Sequence, residues 1–352
     1  MREDGAGSAR STLERMPKWL ICVPLVLQWL WLALKHGGLT LPSAANPAIT
    51  SGGLVGETKL EYFRSMGALA LSATARHCAL PTGARGSLAA VREALAREGI
   101  GFPLIAKPDL GMCGFGVRRI DGEQELARYI AAFPPAQAIV LQEYLPEEGE
   151  AGIFYARDPG AANGRIIGLA LRYFPRVTGD GVSTIDALIA RDPRASRVRH
   201  AGHSLAADGL RVPAANEQVR LATIGSTRVG GLYRDGSACI TPALATRIDG
   251  IARDMAQFHF GRFDVRFADL EALRAGQVRI MEVNGAGSEA IEAWDPGFGL
   301  ARAFGIIFAK QRTLFGIAAA NRRRGHQPIG LWRLARLHWM QQRLLNAYPP
   351  SN

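Results

Sequence analysis

Hydrophobic positions along the chain follow different rhythms, and each rhythm predicts a different element. Between Trp19 and Leu34 the stretch WLICVPLVLQWLWLAL is almost continuously apolar, broken by Pro24 and Gln28. Its 16 residues fall short of the ~20 that a helix needs to cross a bilayer. Three readings stay open: a helix packed on its own protein, a helix lying in a membrane surface with Trp19, Trp29 and Trp31 at the interface, or a span or signal segment. Residues 1–15 are polar and rich in Gly, Ser and Arg, which predicts disorder. The Pro, Asn and Gly density of LPSAANPAITSGGLVGETK predicts a loop. TKLEYFRSMGAL then has helical spacing, with Leu60, Phe63, Met66 and Gly67 on one side.

From residue 100 the rhythm shortens to strand length. FPLIAKP and GVRRI read as a strand and its return, and DGEQELARYIAAF as a turn and an amphipathic helix. AIVLQEYL, EAGIFYARD and IIGLALRYF read as three more strands, residues 243–258 as a helix, and GRFDVRFADL with VRIMEVN as a hairpin. Helices interspersed with antiparallel pairs predict an α+β layered fold. The tail GLWRLARLHWMQQRLLNAY is helical, with Leu331, Leu334, Leu337, Met340 and Leu344 as its apolar stripe, after a basic linker NRRRGHQP. Such a helix either packs on its own domain or lies on an anionic membrane.

Within VRIMEVNGAGSEA, Glu282 and Asn284 interrupt an otherwise buried-looking strand. A buried carboxylate has to pair, lose its charge or bind a metal. Strand alternation puts Glu282 and Asn284 on one face and Met281 and Val283 on the other. By the same rule Arg262, Asp264 and Arg266 share a face opposite Phe263, Val265 and Phe267. If the two strands pair, Asp264, Glu282 and Asn284 converge as oxygen donors suited to Mg²⁺ or Mn²⁺. The alternative is Arg262 or Arg266 in a buried salt bridge with Glu282. Upstream, IAKPDLGMCGFGV places Lys107 at a strand end and Gly111, Gly114 and Gly116 in a turn able to approach an anion. Neither GxxxxGK[ST] nor a helix-opening GxGxxG is present. Cys113 reads as a small loop residue and not a nucleophile, and His200 and His203 as exposed loop residues.

A chain of 352 residues predicts two or three packed units. The net charge of +11 suits an anionic partner, such as a nucleotide or acidic lipid, as well as it suits an arginine-rich soluble protein. Nucleic acid is disfavoured, because the arginines are dispersed and no aromatic stacking platform accompanies them. Cys22, Cys78, Cys113 and Cys239 are scattered, which predicts reduced thiols and neither a disulfide framework nor a zinc site.

The order Lys59, Lys107 with its glycine loop, VLQEYLPEEGE, GRFDVRF and MEVNGAGSE resembles the ATP-grasp superfamily of carboxylate–amine ligases. Within it the chain is similar to D-alanine:D-alanine ligases and to the ligase region of cyanophycin synthetases, over roughly Lys59 to Phe298. The resemblance implies two α+β subdomains sandwiching ATP, residues 59–145 and 146–320. A reduced N-terminal region, 1–58, would precede them and a basic helical tail, 321–352, would follow. It implies that Lys59 and Lys107 contact the phosphates under the loop of Gly111, Gly114 and Gly116. Gln142, Glu143 and Leu145 would lie beside adenine, and Glu150 would hold the ribose. Asp264, Glu282 and Asn284 would hold two Mg²⁺ (or Mn²⁺) ions, while Arg262 and Lys107 act on the transferring phosphoryl group. The implied activity joins a small-molecule carboxylate to an amine or thiol through an acylphosphate. An ATP-grasp kinase and a nucleotide-binding membrane-surface module without turnover are the alternatives. Met112 and Cys113 stand where the D-alanine ligases have serines, and the N-terminal region is short, so a D-alanine dipeptide is not the expected product. The expected location is cytoplasmic, at the inner face of a membrane if an apolar or basic helix docks there.

Overall fold

The computed structural model of the protein describes residues 10–80, 88–200 and 208–352. In chain order its helices are α1 (Thr12–Arg15), α2 (Lys18–His36), α3 (Lys59–Ser65), α4 (Ala68–Ala73), α5 (Leu88–Arg97), α6 (Glu123–Ala132), α7 (Ile185–Arg191), α8 (Arg197–His200), α9 (Pro242–Arg253), α10 (Leu270–Arg274), α11 (Leu300–Arg323) and α12 (Leu331–Leu345). The strands are β1 (His77–Leu80), β2 (Leu104–Pro108), β3 (Arg118–Ile120), β4 (Ile139–Glu143), β5 (Gly149–Ala156), β6 (Arg165–Tyr173), β7 (Arg176–Thr178), β8 (Gln218–Arg220), β9 (Leu232–Asp235), β10 (Phe260–Phe267) and β11 (Arg279–Asn284).

These strands form a four-stranded sheet in the order β1-β4-β2-β3, a five-stranded sheet β11-β10-β5-β6-β9 and the small pair β7-β8. Among the described residues every pairing between these strands is antiparallel, with one isolated parallel bridge between Thr74 and Ile280, and the α+β expectation is borne out. Alternation gives the five-stranded sheet one apolar face. There Ile153, Tyr155, Leu169, Phe263, Val265 and Val283 pack with Leu244, Ile248 and Ile251 of α9. A second core joins Leu104, Leu141 and Ile120 of the four-stranded sheet to α5, α6 and the end of α12. The two sheets meet along β11: Ala75 N–H donates to the Ile280 carbonyl at 2.9 Å, and Lys107 Nζ to the Met281 carbonyl at 3.0 Å.

Several expectations change. Met281 does not lie on the core face, because the register shifts between Asp264 and Val265: Asp264 faces Glu282, but Val265 faces Ile280. Met281 is the extra residue of this bulge, its sulfur accepts from Arg266 Nε at 3.2 Å, and its carbonyl accepts from Lys107. Residues 10–15, expected to be disordered, include a helical turn closed by a Ser11–Glu14 capping box, with Leu13 buried. The expectation for residues 1–9 lies outside the described residues, as does that for His203. His200 ends α8.

The stretch after α2, read as a simple loop, is largely buried. Asn46 explains how its backbone is satisfied. The Asn46 side chain donates to the carbonyls of Gly52 and Phe260, both at 2.8 Å, and accepts from the N–H groups of His259 and Phe260 at 2.8 and 3.0 Å. The apolar stripe of α12 is also shifted, with Gln341 and Leu345 buried while Leu331 and Met340 are exposed. Helix α11 extends through Arg323, so it absorbs the start of the expected basic linker.

Asn46 uses all four of its amide capacities on buried backbone groups. Replacing it by Ala strands those groups, and Asn46→Ala is expected to destabilise the fold by about 2–4 kcal/mol, read as a lowered urea midpoint at unchanged slope.

Candidate active site

The polar face of the five-stranded sheet collects charge by strand alternation. Cross-strand register sets Asp264 opposite Glu282 on one side and Gly152 on the other, and Glu150 opposite Arg266 and Arg172. A side chain at position 152 would come within 2.9 Å of Arg262 Cδ and 3.3 Å of Asp264 Oδ1. Glycine there leaves room for Arg262 to fold over Asp264. Arg262 grips Asp264 with a two-pronged fork, Nε to Oδ1 at 2.6 Å and Nη2 to Oδ2 at 3.0 Å. Arg172 reaches Asp264 Oδ2 at 3.2 Å and Glu150 Oε1 at 3.1 Å, the latter an ion pair out of line for a hydrogen bond. Arg266 closes on Glu150 Oε2 at 3.2 Å. Asn284 Nδ2 donates to Asp264 Oδ2 at 3.2 Å.

From the other side of the cleft come two lysines. Lys59 opens α3, whose first turn is tied to the four-stranded sheet by bonds from Lys59 N–H and Leu60 N–H to Asp109. Its ammonium lies 3.1 Å from Glu282 Oε1. Lys107, at the end of β2, donates to Gln142 Oε1 at 2.7 Å as well as to the bulge carbonyl. Burial alone raises the Glu282 carboxyl, but Lys59, Lys107 and Arg262 outweigh it and hold the group down to about 2. Burial pushes the Lys107 ammonium down to about 8 against the pull of Glu282. Arg262 is held above its usual value, because Asp264 more than offsets its burial.

The glycine loop lies over this pair. A side chain at Gly111 would stand 3.4 Å from Lys59 Nζ, and Cys113, Gly114 and Gly116 all have positive φ. Among the described residues, no backbone carbonyl accepts from the N–H groups of Met112, Cys113 or Gly114. Those donors are available to an anion, as a nest of N–H groups requires. The loop is anchored from outside: Tyr129 and Tyr348 hydroxyls donate to the Gly116 and Leu110 carbonyls, and Ser351 to that of Gly114.

The structure thus gathers Lys59, Lys107, Gly111, Gln142, Arg262, Asp264, Glu282 and Asn284. Glu143, at the end of β4, is bound by Arg76 and Arg279. Leu145 follows it, buried, with neither backbone group bonded to another backbone group among the described residues. Glu150, expected to hold the ribose, is enclosed by arginines. It is 3% exposed and has each oxygen against a guanidinium. Glu282 pairs with Lys59, and neither Arg262 nor Arg266 takes it.

Sequence reading missed Arg172, although an arginine in the apolar strand IIGLALRYF is the same kind of signal that exposed Glu282. It also missed Glu57, whose Oε2 is buried without a hydrogen-bond partner among the described residues and whose carboxyl is raised by burial beside Lys59. Lys310 and Glu292, a buried ion pair, line a cavity of about 460 Å³. Lys310 sits 3.0 Å above the Phe154 ring, whose centroid is 5.6 Å from Arg262.

No family model matches the chain, and no curated protein matches its sequence. Among solved structures the chain is similar to a bifunctional glutathione synthetase from Pasteurella multocida (14% identity, TM-score 0.34), covering 75% of this chain and 38% of that one. It is also similar to the D-cycloserine synthetase DcsG (13% identity, TM-score 0.41, 77% and 70% covered). A third is D-alanine–D-alanine ligase from Bacillus anthracis (14% identity, TM-score 0.41, 79% and 71% covered). The chain therefore spans well under half of the first and about seven-tenths of the other two. At these scores the likenesses carry no inference about residues or activity.

The cations around Glu282 generate a pH signature. Its carboxyl is held at about 2 against an ordinary 4.5, so its contribution to stability is complete above pH 4.5 and is lost as pH falls through 2. The stability gap between the native protein and Glu282→Gln, followed by urea unfolding at successive pH values, should narrow across that window.

Proposed function

We propose that the protein is an ATP-dependent ligase that activates a small carboxylate as its acylphosphate and couples it to an amine. The observation that carries this reading is the charge balance of the cleft. Lys59, Lys107, Arg172, Arg262 and Arg266 make five cations against the carboxylates Glu150, Asp264 and Glu282, while Glu57 beside Lys59 and Glu289 beside Arg262 are both pushed toward their neutral forms by burial, under a loop with unused N–H donors. Such an excess suits a polyanion, and phosphoryl transfer needs positioned positive charge more than it needs a nucleophilic side chain.

The donor set fits a hard divalent cation: two carboxylates and a carboxamide, with no sulfur or imidazole. Among the described residues no cluster of three His, Cys, Asp or Glu stands as a metal centre, so the fit rests on Asn284 joining Asp264 and Glu282. Asp264 can join only by releasing the fork of Arg262. In this reading Asp264, Glu282 and Asn284 hold Mg²⁺, which when bound screens the charge of the triphosphate. Lys59, Lys107 and the N–H groups of the glycine loop grip phosphate oxygens. Arg262, once freed, turns its donors to the transferring group. A substrate carboxylate oxygen attacks the terminal phosphorus and the bond to ADP breaks. The amine then attacks the acyl carbon, and phosphate leaves. Glu57 is available to hold the amine or take its proton. Lys310, which lines the cavity, and Arg262 both lie against the Phe154 ring, so a carboxylate substrate can wait in that cavity.

Turnover decides among the readings. Purified protein with ATP, Mg²⁺ and a panel of amino acids is expected to release ADP only when both a carboxylate and an amine are supplied, and Lys107→Met is expected to lose at least about a hundredfold in rate. ADP release that ignores the amine indicates a kinase. ATP binding with no release under any condition rejects enzymatic function.

Lys107 also sets a pH dependence for binding. Its ammonium, charged below about 8, loses charge as pH rises through that value. ATP affinity measured by calorimetry should weaken across pH 8, and Lys107→Arg should remove the step.

A further inference from the structure

Helix α2 presents apolar side chains in two opposite directions. Its inner side docks on α11: Gln28 Nε2 donates to the Phe308 carbonyl at 2.9 Å and to Gln311 at 3.0 Å, Trp29 meets Phe315 edge-on at 5.0 Å, and Leu32 is buried. Its outer side carries Trp19, Val23, Leu27, Leu30, Trp31 and Leu34, all exposed, from 45% at Leu30 to 84% at Leu34. At helical spacing these six share one face, and an outward face so apolar on a water-facing helix marks an interaction surface.

Charge says what covers it. No Asp or Glu occurs between Glu14 and Glu57. Lys18 and Lys35 are exposed at the two ends of the helix, and Lys35 lies 5.1 Å over the Trp31 ring. Arg322 donates to the His36 and Gly37 carbonyls at the C-terminal end of α2, with Arg323 and Arg324 exposed beside it in sequence. An apolar stripe with indoles near its ends, on a segment that carries cations and no carboxylate of its own, is complementary to lipid headgroups of negative charge, with Glu289 the carboxylate that faces Lys18 from outside the helix.

The 19-residue helix is long and apolar enough to cross a bilayer, at ~1.5 Å per residue. Crossing, however, would pull Gln28, Trp29 and Leu32 off α11.

We propose that α2 lies flat on a bilayer containing anionic lipid, inserting its outer face to headgroup depth while its inner face stays on α11. The inference is independent of the ATP reading, since no residue of the cleft takes part.

Flotation of the full chain with vesicles tests it. The protein is expected to float with vesicles of phosphatidylcholine mixed with phosphatidylglycerol, at least about tenfold more tightly than with phosphatidylcholine alone, and less tightly as salt rises. Leu27→Gln with Leu34→Gln, and separately Lys18→Glu with Lys35→Glu, should each lower vesicle affinity about tenfold or more at unchanged melting temperature. Should either pair unfold the protein, quenching of native tryptophan emission by lipids brominated near the headgroup reads insertion in the unmodified chain. Failure to float with anionic vesicles, undiminished binding by folded variants, or absent quenching overturns the proposal. So does bound protein that resists alkaline carbonate, which indicates a span. A dimer that Leu27→Gln with Leu34→Gln dissolves, without vesicle binding, assigns the face to a second copy instead.

Discussion

The ion pair between Lys59 and Glu282 is the contact on which the geometry of the cleft depends. It joins the first residue of α3 to strand β11 of the five-stranded sheet, and Lys107 reinforces it through the carbonyl of the bulge residue Met281. A carboxylate in this position is tolerable because two ammonium groups face it, and the lysines are tolerable in turn because the carboxylate is there. Removing Glu282 leaves two ammonium groups facing each other without a carboxylate in a partly desolvated place.

The same charges are what the proposed function rests on. Asp264 is saturated by Arg262, Arg172 and Asn284, so the cleft without ligand is locked by its own side chains. Under the proposed function, an incoming anion with its counter-cation would offer each partner a replacement, the cation for Asp264 and the anion for the released Arg262. Under that proposal the exchange would re-aim a guanidinium at the place where charge moves. Burial of Arg172 and Arg266 around Glu150 supplies the rigid backing for that exchange, as positioned dipoles and charges require.

Much of this was legible from alternation alone. The period of two along GRFDVRF and VRIMEVN put Asp264, Glu282 and Asn284 on one face, and the hairpin bears that out. Alternation could not announce the bulge, because it shows only in how the strand pairs with its neighbour, and its carbonyl meets a lysine far away in the chain. Nor could it name Lys59 as the partner of Glu282, since local spacing carries no information about which sheet edges meet. Glu150 was read through a family resemblance, whereas its surroundings are set by Arg172, an unremarked residue in a neighbouring strand. The shifted stripe of α12 has a similar cause: that helix docks by its C-terminal half, and tertiary contact, not the full periodic pattern, selects Gln341 and Leu345 for burial.

The architecture brings a charged cleft and an apolar helix into one molecule, and the cleft is the part that most needs a direct look. Crystals grown with Mn²⁺ and a non-hydrolysable ATP analogue, recorded at the manganese absorption edge, provide it. The account predicts an anomalous peak within coordination distance of Asp264, Glu282 and Asn284, with Arg262 turned away from Asp264 toward the terminal phosphate. Nucleotide bound elsewhere, or Arg262 still clasping Asp264 with no manganese between the strands, would contradict it.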